Sequence, residues 1–117
     1  MPHTRHRAAS TTRIGTPATI FAALGDETRL RLISRLSDTG PMSIAGLADG
    51  FDISRQAISK HLRVIHAAGL AQCGRRGRET VWQLQPDGLA KARQYLTMIS
   101  KDWDDKLRRL KHLVEGA

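Results

Sequence analysis

The amino-acid sequence predicts a small, mainly α-helical domain with one β-hairpin and a long C-terminal helix. Three observations support this fold class. Apolar residues recur at spacings of three and four along most of the chain, which is the pattern of amphipathic helices. Two β-prone runs flank a stretch rich in glycine and arginine at residues 74–78, as in a hairpin. Residues 89–115 contain neither proline nor glycine, so a single helix can continue through them.

The composition is that of a single soluble globular domain. The chain has 117 residues and a mass of 13.0 kDa, which is room for one modest core. Hydrophobic residues make up 40% of the chain but aromatic residues only 4%, so we expect a core of aliphatic side chains. The longest uncharged stretch, residues 14–25, is too short to span a bilayer. The single cysteine, Cys73, excludes an internal disulfide and favours a cytoplasmic location.

Helix-start signals divide the first half of the chain. Residues 1–14 are polar and basic without a hydrophobic period, so we expect a flexible basic N-terminal arm before a single domain at residues 15–117. Thr16 and Pro17 are typical of a helix cap and first turn, and Gly25 ends this helix. Asp26 can cap a second helix. The apolar residues predicted for the core face of this second helix are Leu30, Leu32, Ile33 and Leu36.

A tight pair of helices follows. Ser43 can cap a short helix that Gly50 closes, and Ser54 can cap a longer helix that Gly69 ends. The longer helix has one narrow apolar stripe and an opposite polar face. The predicted stripe is Ala57, Ile58, Leu62 and Ile65, and the polar face presents Arg55, Gln56, Ser59, Lys60 and Arg63.

The hairpin is predicted from two short strands, Leu70–Cys73 and Thr80–Leu84. We expect Gly74 and Gly77 to adopt positive φ angles between them. The intervening arginines would then project from a compact loop; these are Arg75, Arg76 and Arg78. Pro86 would end the second strand.

The last helix, at residues 87–115, would be about 43 Å long, which exceeds what its own domain can cover. Its apolar residues step by three or four along one seam, so we expect a homodimer built on this helix and the first one. The alternative is a helix folded back in two pieces around residues 100–105. The predicted dimer-interface residues are Phe21, Leu24, Leu96, Ile99, Trp103, Leu107, Leu110 and Val114.

The distribution of charge indicates a nucleic-acid partner. The chain carries a formal net charge of +8. Residues 53–78 alone contain six lysines and arginines and no acidic residue. Such a surface suits the phosphate backbone of a nucleic acid, although a solvated basic face is a simpler alternative.

Two helices joined by a tight turn, the second of them basic, followed by an arginine-bearing hairpin, are typical of a winged helix-turn-helix. The stretches "FAALGDETRLRLISRL", "ISRQAISKHLRVIHAAGL" and "GRETVWQLQPDGL" resemble the arsenical-resistance repressor (ArsR) family over residues 21–89. The resemblance implies a dimeric DNA-binding transcription regulator. Most often such a protein is an autorepressor that leaves an inverted-repeat operator when a small-molecule effector binds.

The resemblance places the recognition helix at residues 54–68 and implies major-groove or phosphate contacts along its polar face. It also implies that the arginines of the hairpin, the wing, reach the flanking minor groove or the backbone. The implied DNA-contact residues are Ser54, Arg55, Gln56, Ser59, Lys60, His61, Arg63, Arg75, Arg76 and Arg78.

Metal and redox sensing of the kinds found in this family are not expected. The cysteine pair of the metal-sensing members is missing, since residues 44–49 contain no thiol or histidine. Other members bind zinc between their last helices. His112 and Glu115 match part of that ligand set, but Asp104 stands where a histidine is expected and about one turn too close. We therefore predict no metal or cofactor, and a packed or tolerated Cys73 rather than an oxidation sensor.

An enzyme is also not expected. The sequence contains no phosphate-binding glycine loop, no nucleophile-elbow serine and no HExxH pair. The alternative to a DNA-binding regulator is a winged helix used for protein–protein interaction. The absence of acidic residues from residues 53–78 argues against it.

Overall fold

The computed structural model describes residues 15–116, so the arm expected at residues 1–14 lies outside the described part of the chain. The described residues form five helices and a two-stranded antiparallel sheet. In chain order these are α1 (Pro17–Leu24), α2 (Glu27–Thr39), α3 (Ile44–Ala48), α4 (Arg55–Ala67), β1 (Ala71–Arg76), β2 (Glu79–Leu84) and α5 (Pro86–Gly116).

The first four helices begin at the predicted caps. In each case the side-chain oxygen of the cap accepts a hydrogen bond from a backbone N–H three residues later, at 3.0–3.3 Å. Each bond satisfies a backbone donor that has no partner within its helix. The caps are Thr16, Asp26, Ser43 and Ser54.

The core between these helices is aliphatic, as expected from the composition. Its fully buried side chains are Ile20, Leu32, Leu47, Ile58, Leu62, Ile65 and Leu70. The prediction for Leu30 is wrong, because this side chain is 49% exposed. The buried face of α2 is centred on Leu32 and Leu36, and residue 30 lies about 160° around the helix from residue 32. Ala57 is only half-buried, at the edge of the α4 stripe.

The hairpin forms where it is predicted, but its strands are longer. Arg76 pairs with Glu79, so the turn needs only Gly77 and Arg78, and Gly77 adopts a φ of +64°. A two-residue turn of this kind leaves the preceding residues free to pair. Gly74 therefore pairs with Val81 within the ladder and does not adopt a positive φ. Arg75 and Arg76 belong to β1 and not to the loop, which corrects the prediction.

A single antiparallel bridge, which the sequence did not reveal, ties the hairpin to the segment between α2 and α3. The backbone N–H of Met42 donates to the carbonyl of Trp82 at 2.9 Å, and the N–H of Trp82 donates to the carbonyl of Met42 at 2.7 Å. One residue pair has no periodic signal, so pattern analysis cannot find it.

Helix α5 is continuous over 31 residues, or about 46 Å, so the folded-back alternative is wrong. It begins at Pro86, one residue earlier than predicted, because proline is well tolerated in the first turn. Within this helix only Gly88 and Ala92 are buried, and none of the residues from Leu96 to Gly116 is. The distal part of α5 thus has almost no cover from its own chain. Within residues 15–116, no helix has the length and apolarity needed to cross a membrane.

Candidate nucleic-acid interface

Helix α4 presents one polar, cationic face away from the core. Ile58, Leu62 and Ile65 anchor its opposite face with no exposed surface. This anchoring leaves Arg55, Gln56, Lys60 and Arg63 exposed, with Ser54 at the cap and Ser59 half-buried beside them. The Arg63 guanidinium lies 3.5 Å from the hydroxyl of Ser59. Charged and amide donors on an exposed helix face are the groups that contact phosphates and base edges in a major groove.

The wing, which follows α4 in the chain, adds further exposed cationic side chains. The arginines at positions 75, 76 and 78 are exposed, two of them at the end of β1 and the third in the turn. Among residues 15–116, salt bridges join only Asp26 to His61 and Asp105 to Arg108. None of the six lysines and arginines within residues 53–78 is therefore neutralised by a described carboxylate, which leaves their charge available to a polyanion.

The turn before α4 is held by two arginines of α2. Arg35 donates to the backbone carbonyls of Gly46, at 3.4 Å, and Asp49. The Arg31 guanidinium lies 4.5 Å from the centre of the Phe51 ring, a cation–π contact. Gly50, at a φ of +89°, provides the sharp change of direction. These contacts fix where α4 begins relative to α2.

His61 differs from the other implied DNA-contact residues because it contacts another helix. Its Nδ1 lies 3.4 Å from a terminal nitrogen of Arg29 and 3.8 Å from a carboxylate oxygen of Asp26. Its side chain is 25% exposed. The structure thus places His61 on the flank of α4 that faces the start of α2, about 100° around the helix from Lys60.

The carboxylate of Asp26 is part of the same cluster. The backbone N–H of Arg29, which donates to Asp26 at 3.0 Å, is the main cause that holds the pKa of Asp26 below its ordinary value. The positive charge of Arg29 and that of protonated His61 lower the pKa further, against an opposing effect of burial. Asp26 is therefore a charged cap at neutral pH.

The seam predicted for the dimer interface lies on the uncovered part of α5. Its apolar side chains are exposed by between 46% and 74%. In contrast, Phe21 and Leu24 of α1 are half-buried and pack against the core. The Phe21 ring lies 5.8 Å from the ring of Tyr95, so α1 contacts α5 just before the uncovered seam begins. The exposed members are Leu96, Ile99, Trp103, Leu107, Leu110 and Val114.

Metal ligands and the single cysteine are the other candidate sites in the sequence. Residues 15–116 contain no cluster of three or more histidine, cysteine, aspartate or glutamate side chains suited to a metal ion. Cys73 is exposed and pairs with Trp82 across the hairpin, so the thiol is not packed, which leaves the predicted alternative of a tolerated thiol. Pattern analysis missed the contacts of Arg29 and Arg35, since both residues simply occupy non-core positions of a helix.

Comparisons with known proteins agree with this geometry. Residues 24–72 match the family model described as "Helix-turn-helix domain". The chain is 34% identical over 100 residues to the HTH-type transcriptional regulator Rv2034 of Mycobacterium tuberculosis, covering 86% of this chain and 90% of that protein. It is 33% identical over 70 residues to the arsenical resistance operon repressor of Escherichia coli, covering 60% of each chain.

Among solved structures, an ArsR-like transcriptional regulator from Rhodococcus sp. RHA1 superposes with a TM-score of 0.74 at 36% identity. The match covers 86% of this chain and 94% of that one. The fold and the cationic face of α4 and the wing define a winged helix-turn-helix DNA-binding protein. The chain belongs to the ArsR family of transcriptional regulators.

Proposed function

We propose that this chain is a dimeric transcriptional repressor that binds an inverted-repeat DNA operator and leaves it when an effector binds. The observation that carries the proposal is the exposed cationic face of α4 together with the exposed arginines of the wing. Six basic side chains lie there, and none of them has a carboxylate partner among the described residues. A protein-docking surface can include acidic residues. A phosphate-binding surface excludes them, because carboxylates would repel the phosphates.

In this proposal α4 enters the major groove. Its exposed donors near the N-terminal end, Arg55 and Gln56, read base edges. Lys60 and Arg63, with the hydroxyls of Ser54 and Ser59, bind phosphates or neighbouring bases. His61 completes the set from the flank of the helix, where it is partly exposed.

The wing arginines bind beside this contact. Arg78 stands in the two-residue turn, and Arg75 and Arg76 precede it on β1. Arginine is favoured in a narrow minor groove because the electrostatic potential there is strongly negative. These contacts add affinity and orientation with little dependence on sequence.

The dimer forms through the exposed seam of α5, with Phe21 and Leu24 of α1 at its edge. A surface helix that leaves six large apolar side chains exposed along a single stripe requires a partner. A second copy of the chain fits best, because an isologous pair would hold two recognition helices at a fixed separation. That separation would match half-sites about one turn of DNA apart.

Repression is proposed from the relative in Escherichia coli, which is named a repressor. The effector is proposed to be a small molecule and not a metal ion held by a thiol pair, since residues 44–49 contain no cysteine.

The test is a selection of tight-binding duplexes from a random library by the purified chain. We expect an inverted repeat, bound at least about a thousandfold more tightly than a shuffled duplex. If eight phosphates are neutralised per dimer, log K falls against log salt with a slope of about −7. Equal affinity for selected and shuffled duplexes would refute a sequence-specific regulator. A slope near zero would favour the protein-interaction alternative. Transcription from a promoter that carries the selected repeat, with and without the protein, tests repression.

A further inference from the structure

The side chain of Arg29 joins three helices at one point. Its Nε donates to the carbonyl of Ala23 at 2.6 Å, and one terminal nitrogen donates to the carbonyl of Ala22 at 3.3 Å. Both carbonyls lie in the last turn of α1, and that of Ala22 also accepts the backbone N–H of Gly25 at 3.2 Å. The other terminal nitrogen lies 3.4 Å from Nδ1 of His61 in α4. Arg29 itself stands in the first turn of α2.

Asp26 contacts both the backbone of Arg29 and the ring of His61. Its carboxylate accepts the backbone N–H of Arg29, which also caps α2. The same carboxylate lies 3.8 Å from Nδ1 of His61, which is beyond ordinary hydrogen-bond distance. The shorter of the two contacts at Nδ1 is thus the one with Arg29, and because a guanidinium can only donate, Nδ1 has to be the acceptor for this contact to be a hydrogen bond.

The two ends of this contact belong to the two functional parts of the molecule. Helix α1 packs against α5 through the rings of Phe21 and Tyr95, beside the seam proposed to form the dimer. His61 belongs to the recognition helix. The guanidinium of Arg29 therefore contacts both α1, which lies beside the proposed dimer seam, and α4, the proposed recognition helix. Its planar group carries N–H donors that point in three directions.

We propose that Arg29 is a positioning residue for DNA recognition, which sets the separation and angle of the two recognition helices through its contacts with α1 and His61. This inference rests on the proposed function. In a symmetric dimer, a small rotation of α4 against α1 occurs in both subunits. Both rotations change the distance between the two recognition helices. Arg29 thus determines which half-site spacing the dimer accepts, without touching DNA.

The experiment uses the selected inverted repeat and a series of duplexes in which its half-sites are moved by one or two base pairs. One base pair changes the separation by about 3.4 Å and turns one half-site by about 35°. The wild-type protein should strongly prefer one spacing. In Arg29→Met, the preference over a spacing altered by one base pair should fall about tenfold, the effect expected when a hydrogen bond to a charged group is lost. Affinity for a duplex with a single half-site should not change.

Three further single variants and one double variant separate positioning from loss of charge or of fold. Arg29→Lys keeps the charge but cannot reach all three acceptors, so it should relax the spacing preference as Arg29→Met does. Lys91→Met removes an exposed charge at the start of α5 and should leave the preference unchanged. His61→Leu should relax the preference by the same factor as Arg29→Met, and the double variant by no more than either one. Thermal unfolding and sedimentation confirm that each variant is folded and dimeric.

A wild-type spacing preference in folded Arg29→Met and Arg29→Lys would overturn the inference, as would additive effects of the Arg29 and His61 substitutions. A protein that selects no operator would instead refute the proposed function. Nitrogen-15 resonances of His61 in the free protein test the contact without DNA. We expect the Nε2–H tautomer in the wild type, and a proton on Nδ1 would overturn the inference on its own.

Discussion

Gly88, in the first turn of α5, packs directly against the carbonyl group of Gly69, which ends the recognition helix. A side chain at position 88 would collide with the carbonyl oxygen and carbon of Gly69. Gly69 adopts a φ of +79°, so it also has to be glycine. The backbones of the two residues therefore fix the angle at which α5 leaves the DNA-reading unit, and with it the direction of the proposed dimer seam.

This packing predicts that Gly88→Ala destabilises the protein by about 1–3 kcal/mol, the usual cost of forcing extra atoms into a packed site. The backbone of Gly69 cannot move aside as a flexible side chain would. Urea unfolding followed by circular dichroism measures the change. Gly74→Ala is the matched control, since nothing lies within 4 Å of a methyl group there and the φ is not positive. Equal stability of Gly88→Ala and the wild type would contradict the close packing.

Asp26 predicts a dependence of stability on pH. Its pKa is lowered in the folded protein, chiefly by the backbone N–H of Arg29. The stabilisation is therefore fully present above the unfolded pKa of about 3.9 and is lost as the pH falls through the folded value. Asn is also a good cap but carries no charge. Asp26→Asn should thus be less stable than the wild type at pH 7, and the difference should shrink below about pH 4.

The measurement is the urea midpoint of both proteins from pH 7 down to pH 3. Asp52→Asn serves as the control, because Asp52 is exposed and has no hydrogen-bond or ion-pair partner among residues 15–116. A difference between Asp26→Asn and the wild type that stays constant over this range would show that the charge of Asp26 does not contribute.

The exposed seam of α5 predicts the effect of a charge on association. Trp103 is 58% exposed in the single chain and lies at the centre of the seam. Trp103→Glu would place a carboxylate in the apolar interface, so it should yield monomers by analytical ultracentrifugation. Its affinity for the selected operator should fall as well, because the two half-sites would no longer be bound together.

Met98→Glu is the matched control for this change. Met98 is 55% exposed on α5 but lies about 100° around the helix from Ile99 and about 120° or more from the other seam residues, so its variant should remain dimeric. A monomeric wild type would refute the proposed dimer. A dimer that survives Trp103→Glu and not Met98→Glu would place the interface elsewhere on the molecule.

Alanine substitutions in the recognition helix and in the wing should change DNA binding in different ways. Gln56→Ala should relax base preference at one or two positions of the selected operator, with a cost of about 1–3 kcal/mol at the preferred base. Arg78→Ala should weaken all duplexes alike and make the salt slope shallower by about two, because a dimer loses one phosphate contact in each subunit. Binding measured by fluorescence anisotropy on a panel of single-base operator variants at several salt concentrations separates the two. An unchanged base preference in Gln56→Ala would remove that residue from direct readout.

Much of the fold follows from local signals in the sequence. Four helix starts could be predicted because a cap and the N–H it accepts are three residues apart, whatever the rest of the chain does. The length of α5 could be predicted because nothing in residues 89–115 interrupts a helix. The cationic surface could be predicted because its charges lie within one short segment.

Errors arose where a residue's surroundings come from distant parts of the chain. Leu30 has the right spacing for the core of α2, but the buried face turned out to be narrower. Gly74 looked like part of a loop because glycine and arginine are common in turns, yet the ladder extends past it. Periodicity identifies the apolar side of an element and does not say how much of that side is covered.

The sequence alone determined the order of the helices and strands, the DNA-binding class and the seam along the last helix, since caps, periods and charge runs act between neighbours in the chain. Only the tertiary structure decided what Arg29 bonds to, that Met42 pairs with Trp82, and that Gly69 and Gly88 touch. These contacts join residues 6 to 40 positions apart, and which of them form depends on how all the buried faces pack together.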